Sequence, residues 1–145
     1  MKAIFTCMAL AMVALASAQE QEVEQAVTDF FVAFHAKDTV AMRRAFHKEL
    51  ALQSISETPK GPVVTTETAK EMLAAIAGIP EGVVFEERLL AWKIDIDGSL
   101  AHAWVTYDFY VNGKRSHGGV DSFTLVKEGT AGGWKILHLA DTRHN

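Results

Sequence analysis

The chain has very little sulfur chemistry to offer. Its one cysteine, Cys7, lies inside an apolar run near the N-terminus. A disulfide scaffold, a cysteine-ligated metal and a thiol nucleophile therefore have no material in the remainder of the sequence. Basic tracts are missing too. Lysine and arginine number 14 against 18 acidic residues, a net charge of −4, and Arg43-Arg44 is only a two-residue basic step, which reads as solvated. Nucleic acid and anionic membrane surfaces are poor partners for such a chain. There are only three prolines, at positions 59, 62 and 80, so they punctuate rather than pervade. No internal repeat, low-complexity segment or linker is present.

One uncharged apolar run does occur, Ala3 to Leu15, preceded by Lys2 and followed by Ala16-Ser17-Ala18. A positive start, a short apolar stretch and a small-x-small tripeptide make up a secretory signal with cleavage after Ala18. The run is too short for a comfortable membrane span, and an acidic segment follows it. The expectation is an exported protein, periplasmic or extracellular, in which residues 1–18 are removed and residues 19–145 form one domain with no membrane attachment. An uncleaved N-terminal anchor is the competing reading. After cleavage the domain has no cysteine, so packing and hydrogen bonds alone must hold it.

Helical spacing appears first. Val23, Ala26, Val27, Phe30, Phe31 and Phe34 recur on one face, predicting a helix over 21–36 with Glu20, Glu22 and Glu24 in its first turns, where the helix dipole favours them. Asp38 suits the N-cap of a short second helix carrying Met42, Ala45 and Phe46. Residues 49–55 suit a short strand and 56–62 a loop. Thr66 can cap a third helix with Ala69, Met72, Leu73 and Ile76 on one face, ended by Gly78 and Pro80. From Val83 the period becomes two. Leu90, Trp92, Ile94 and Ile96 alternate with Ala91, Lys93 and Asp95. Asp97-Gly98 and Asn112-Gly113 are tight hairpin signals. Four long strands result: 83–96, 100–111, 116–127 and 134–142, the last two joined by a looser turn over 129–133. Three helices followed by an antiparallel meander make an α+β protein. Strands this long twist and curl around the shorter helices, leaving a pocket between the layers.

Seven polar side chains sit among the apolar positions of this meander: His102, Tyr107, Asp108, His117, Asp121, His138 and Asp141. A buried sheet face excludes such groups unless they are paired or face a cavity. His117 and Asp121 stand four apart on one strand and so share a face, with Gly119 between them leaving open space. The functional reading is a pocket-facing pair, one member a general base. The structural alternative is an Asp121 that accepts hydrogen bonds from a neighbouring strand and a His117 at the strand entrance. His138 follows Trp134 and Ile136 at period two, which puts all three on the helix-facing side. It is either an acid–base or hydrogen-bonding group or a core histidine satisfied by a backbone carbonyl. Trp92, Trp104, Tyr107, Phe109 and Tyr110 form an aromatic bank on two strands, and Phe123 joins it from the third. Trp92, Trp104, Tyr107, Tyr110 and Phe123 are the candidate ligand contacts for a small apolar or aromatic molecule. Cross-strand packing or a dimer contact on the outer sheet face accounts equally well for any single one of them.

Other sites fail on spacing. No pair of histidines has a strong metal-ligand spacing, and His35 and His47 belong to helix surfaces or ends, so neither metal nor cofactor is expected. No serine sits in a nucleophile elbow. The glycines of 129–133 join two strands and open no helix, so they cannot cradle a phosphate.

Local sequence carries a resemblance. Tyr107, Phe109 and Tyr110, then Asn112, Gly113 and Lys114, then His117, Gly119, Val120 and Asp121, then Gly133 to Ile136 match a Tyr-x-Phe-Tyr segment, an Asn/Asp-Gly-Lys turn, a His-Cys-Gly-Val-Asp stretch and a Gly-Trp-Lys-Ile strand. This pattern resembles the small bacterial SnoaL-like or lumazine-binding proteins of the nuclear transport factor 2-like superfamily, over essentially the whole of residues 19–145. The resemblance implies a cone-shaped fold, with three N-terminal helices packed on a curved, mostly antiparallel sheet. It also implies a pocket inside the cone and a homodimer through the outer sheet face. Ketosteroid-isomerase-like members use a pocket carboxylate as base and a phenol as donor. This implies Asp121, His138 or His117 as the proton-moving group and Tyr107 or Tyr110 as the donor. Gly118 stands where the family pattern has cysteine, so any role resting on a thiol is absent. Three functions follow as expectations: a small-molecule-binding protein, an isomerase or dehydratase, and an association domain.

Overall fold

The structure is a computed structural model that describes residues 2–129 and 132–144, with side chains from Ser17 onward. The apolar side chains of the expected leader lie outside that description, as do Thr130 and Ala131 of the turn expected over 129–133. The first helix, α1, runs Lys2–His35, far longer than the predicted 21–36. Glu20, Glu22 and Glu24 are therefore mid-helix, not in a first turn. Among the residues whose side chains are described, 17–22 are exposed and burial starts at Val23, so the C-terminal part of α1 supplies core residues. Lys37, in the left-handed region at φ 55°, turns the chain into α2, Thr39–Ala45. Asp38 caps α2 as predicted, its carboxylate accepting from the amides of Val40 and Ala41 at 3.1 and 2.9 Å. Phe46 lies past the helix end.

The predicted short strand and loop are instead a long hairpin. β1 is Phe46–Thr58 and β2 is Gly61–Glu67, so His47 lies on a strand. The third helix, α3, spans Ala69–Ala77, and its cap is Thr68, not Thr66. Thr68 and Glu71 form a reciprocal capping box: the Glu71 amide donates to Thr68 Oγ1 at 3.2 Å, and the Thr68 amide donates to the Glu71 carboxylate at 2.8 Å. The remaining strands are β3 Phe85–Asp97, β4 Leu100–Val111, β5 Lys114–Lys127 and β6 Trp134–Arg143. Asn112 (φ 48°) and Gly113 (φ 78°) make the β4–β5 turn as expected from their left-handed tolerance. The β3–β4 turn uses Gly98-Ser99, one residue later than predicted.

The six strands lie in the order β2-β1-β6-β5-β4-β3. Every pairing is antiparallel except β1 with β6, which is parallel. The three helices pack on this curved sheet, as the α+β reading held, but the β1–β2 hairpin separates the second helix from the third. Val23, Val27, Phe30 and Phe31 of α1 meet Ala101, Ala103, Val105, Phe123, Leu125, Ile136 and Leu139 of the sheet. Within the sheet the small Ala103 pairs with the large Phe123, against which Phe30 and Phe31 of α1 pack edge-on.

Register irregularities bend the sheet and reassign its faces. One extra residue, Leu90, sits in β3 between the pairs Leu89↔Tyr107 and Ala91↔Thr106. Another, Leu137, sits in β6 between Leu125↔Ile136 and Thr124↔His138. Each bulge switches which parity faces inward. In β3 the inward set is Phe85, Glu87 and Leu89, then Trp92, Ile94 and Ile96. Leu90, expected with Trp92 and the isoleucines, is 57% exposed. In β6 Trp134 and Ile136 face inward, and beyond the bulge Leu139, Asp141 and Arg143 do. His138 is therefore on the other face.

Candidate functional site

The two bulges determine which polar groups reach the interior. Between α1 and the open end of the curved sheet lies a cavity of about 160 Å³. Its apolar wall is Phe30, Phe31 and Phe34 of α1 with Leu52, Met72, Phe109 and Leu139. Its polar lining comes from every strand: Ser54 of β1, Glu67 of β2, Glu87 of β3, Tyr107 of β4, His117 and Asp121 of β5, and Asp141 and Arg143 of β6. Glu67 and Arg143 remain solvent-exposed and form the mouth, whereas Asp121 is 3% exposed and forms the floor.

Asp121 faces inward from β5 opposite Val105 and beside Asp141. Its Oδ2 is buried and receives no hydrogen bond from any donor among the described residues. Its neighbour is the Glu87 carboxyl, whose charge acts on it. Two ionised carboxylates can only accept, so a hydrogen bond within this pair requires a proton on one of them. Burial raises Asp121 well above the ordinary aspartate range, and the Glu87 and Asp141 charges push it further. Burial likewise raises Glu87, to about 7; the hydrogen bond from Asp121 and the Arg143 charge oppose the rise, and the Asp141 charge adds to it. Both shifts favour retention of a proton on the pair. The Glu87 amide is anchored by His35 Nε2 at 2.8 Å. That nitrogen must be unprotonated to accept, in line with the burial that lowers the His35 pKa. His35 is thus tied to the site from the end of α1 and is not a free helix-surface group.

Asp141 is differently placed. Arg143 Nε donates to its Oδ2 at 2.8 Å, Ser54 Oγ donates to its Oδ1, and Arg143 Nη2 donates to Ser54 Oγ at 3.2 Å. The Arg143 charge is therefore engaged by Asp141. Tyr107 crosses the sheet above Gly119 and donates its hydroxyl to the Thr142 carbonyl at 2.8 Å. Burial and the surrounding carboxylates raise its pKa, so the phenol stays neutral. Gly119 does not leave open space: a Cβ there would lie 1.9 Å from the Thr142 carbonyl oxygen. The glycine allows β6 to close over β5. His117 stacks on Phe109 at 5.0 Å between centroids, and its Nδ1 is 3.1 Å from Ser116 Oγ. Burial, and then the Arg143 charge, lower its pKa.

Of the predicted site residues, the cavity thus gathers Asp121, His117 and Tyr107. His138 is on the outer face, 3.1 Å from Gln53 Oε1, because the Leu137 bulge breaks the period that tied it to Ile136. Trp104 and Tyr110 are also on the outer face: Trp104 is 46% exposed, and the Tyr110 ring lies under the Arg88 guanidinium at 3.9 Å. Trp92 and Phe123 face inward but belong to the packed core, with Phe123 edge-on to both Phe30 and Phe31. The seven-residue polar set divides cleanly. Tyr107, His117, Asp121 and Asp141 line the cavity, while His102 pairs with Ser122, Asp108 with Arg115 and His138 with Gln53 outside. Gly118 belongs to that outer face; a Cβ there would lie 2.6 Å from both the Arg115 guanidinium and Asp108 Oδ1. The ion pair occupies the space where the family pattern has cysteine.

Glu87, Glu67, Ser54, Arg143 and the α1 phenylalanines were not among the sequence candidates for the site. Glu87 had one signal. The adjacent pair Leu89-Leu90 in an otherwise alternating strand marks a phase change, before which Phe85, Glu87 and Leu89 share a face.

This architecture is that of the nuclear transport factor 2-like fold. Solved structures with it include a protein of unknown function from Mycobacterium tuberculosis (TM-score 0.74, 12% identity, covering 92% of this chain and 76% of that one). Others are a nuclear transport factor 2-like protein from Cytophaga hutchinsonii (0.70, 14%, 87% and 98%) and a protein described as "Putative Scytalone Dehydratase" from Novosphingobium aromaticivorans (0.68, 14%, 92% and 89%). At such identities the likeness is one of fold. Among curated proteins nothing matches this chain. Residues 18–139 match the profile of the family described as "Putative lumazine-binding", and the chain belongs to that family.

Proposed function

We propose that the protein is exported and holds a small, flat, partly apolar molecule in the cavity between α1 and the curved sheet. The observation that carries this reading is the buried Asp121 oxygen, without a donor among the described residues, at the floor of a cavity walled by phenylalanines. A native core satisfies its buried polar atoms, so an unsatisfied one facing open space is a place for a ligand's hydrogen-bond donor. The volume, about 160 Å³, is close to the roughly 150 Å³ of an engineered cavity that takes up benzene, so one ring fills the enclosed part. Membership of the family described as "Putative lumazine-binding" supports a small-molecule occupant. Export is supported by the leader-like N-terminus and by the exposure of residues 17–22 around the expected cleavage point. Among the described residues no helix is long and apolar enough to cross a membrane.

Native mass spectrometry of the protein purified from its source compartment tests the proposal. The expected result is a chain beginning at Gln19 with a copurifying small molecule lost on gentle activation. A chain that retains its first 18 residues and stays inside the cell overturns the export reading. A cavity that takes up no aromatic probe overturns the binding reading.

A second reading, an isomerase or dehydratase, is favoured by one observation: Asp121 and Glu87 are neighbouring carboxyls in the cavity lining, where burial raises both, Glu87 to about 7, the range suited to acid–base work at neutral pH. The dehydratase label of one structural relative points the same way. In that case Glu87 accepts the proton and Asp121 donates to the developing oxyanion, because the Tyr107 hydroxyl is committed to Thr142. The outer sheet face, with Trp104 and Leu100 at 46% and 52% exposure, is the surface through which we expect two copies to pair.

A further inference from the structure

The charge inside the cavity is out of balance. Among the described residues four carboxyl groups line it, those of Glu67, Glu87, Asp121 and Asp141, against one arginine, Arg143. That arginine is engaged by Asp141 and Ser54. Asp121 and Glu87 have no cation in ion-pair contact among the described residues, and Asp121 Oδ2 has no donor. The other groups facing the pair do not supply one. Tyr107 from β4 has its hydroxyl on Thr142, and His117 from β5 is stacked on Phe109. From α1 come phenylalanines, and His35 accepts from the Glu87 backbone.

Building on the ligand-pocket reading above, we propose that the occupant is a ring carrying a protonated amine, its ring against Phe30, Phe31 and Phe109 and its ammonium between Asp121 and Glu87. The chemistry of the two carboxyls selects this class. A carboxylate or phosphate ligand would add like charge to a buried acidic floor. A neutral hydroxyl or amide donor satisfies one acceptor and leaves the other carboxyl needing its proton. An ammonium carries three N–H donors and one positive charge, so it satisfies both carboxyls in their ionised forms. Phenylalanine faces beside it add attraction for the cation. The ammonium takes over the place of the proton that the empty pair shares, so binding and proton release are linked. Because the enclosed volume suits one ring, the class is that of arylalkyl or cycloalkyl amines, not polyamines or extended chains.

Calorimetric titration of the protein with three isosteric probes, benzylammonium, benzyl alcohol and benzoate, separates the possibilities. At pH 7 benzylammonium binds roughly 30-fold or more tighter than benzyl alcohol, and benzoate does not bind. Repeating the benzylammonium titration in two buffers of different ionisation enthalpy shows release of up to about one proton per molecule bound. Asp121→Asn and Glu87→Gln each bring the amine-to-alcohol ratio close to one while benzyl alcohol still binds. Glu87→Gln carries the test alone should Asp121→Asn not fold. Equal affinity for amine and alcohol in the wild type, or a ratio that survives both substitutions, overturns the amine inference and leaves the pocket standing. Failure of all three ring probes to bind overturns the pocket with it.

Discussion

Replacing Glu87 with glutamine should make this protein more stable at neutral pH, although it removes a native hydrogen-bonding partner. Burial beside Asp121 and Asp141 moves the Glu87 carboxyl from its ordinary 4.5 to about 7. A tenfold change in proton affinity is worth about 1.4 kcal/mol, so that displacement represents about 3 kcal/mol of destabilisation at neutral pH. The direction follows from proton counting. The folded state holds a proton that the unfolded chain has already released, so stability falls as pH rises from about 4.5 to about 7 and this contribution is constant above that window. Below about pH 4 both states are protonated and it is absent. The substituted glutamine keeps the size of the side chain and brings no charge, and its amide can donate to an ionised Asp121. Urea or thermal unfolding of the wild type and Glu87→Gln between about pH 4 and pH 8 should therefore give superimposed curves at the acid end. The curves should separate progressively, with a gain for the variant approaching about 3 kcal/mol, or roughly 10 °C in Tm, at about pH 8. A variant no more stable than the wild type at the alkaline end, or a gain of equal size at the acid end, would refute the proton-sharing pair.

Two further substitutions probe the frame around the site. Gly119→Ala places a Cβ 1.9 Å from the Thr142 carbonyl oxygen, which forces β6 away from β5. It should cost about 2–4 kcal/mol in urea unfolding, and a loss under about 0.5 kcal/mol would show that the strand end yields freely. Trp104→Glu puts a charge into the outer face without touching the core. Light scattering should then find one subunit where the wild type shows two, and an unchanged mass would place the pairing surface elsewhere.

Much of the fold was legible because its signals are local. Asp38 caps α2, Asn112-Gly113 turns β4 into β5, and apolar alternation marks the long strands. Each signal depends on one or two residues whose conformational preference is intrinsic. The structure departs from the sequence pattern where the determining contact is distant. The β1–β2 hairpin reads in sequence as a strand and a loop because β2 is an edge strand rich in threonine with Pro62 near its start. It buries almost nothing and so carries no hydrophobic period. Thr66 and Thr68 are chemically alike, and only the presence of Glu71 three residues beyond Thr68 distinguishes the true cap. For a long strand, period two is reliable only between bulges, and extrapolating it from Trp134 and Ile136 across Leu137 placed His138 on the wrong face.

The site was half legible for the same reason. Asp121, His117 and Tyr107 were recoverable because β4 and β5 keep one register from Ala101↔Leu125 to Phe109↔His117, so counting by twos holds along the whole inward face. Glu87 and Arg143 arrive from β3 and β6, each beyond a bulge in its own strand, and Asp141 acquires its partner Ser54 only through the parallel pairing of β1 with β6. The consequence is chemical as well as geometric. A lone Asp121 in an apolar cavity would be an ordinary protonated acid. The Leu90 bulge turns Glu87 toward it and makes the two a proton-sharing pair. The Leu137 bulge brings in Arg143, whose charge Asp141 and Ser54 then occupy. The acidity of the floor is thus set by two inserted leucines. In both strands the insertion is visible as adjacent apolar residues, Leu89-Leu90 and Ile136-Leu137, where strict alternation would have placed a polar one.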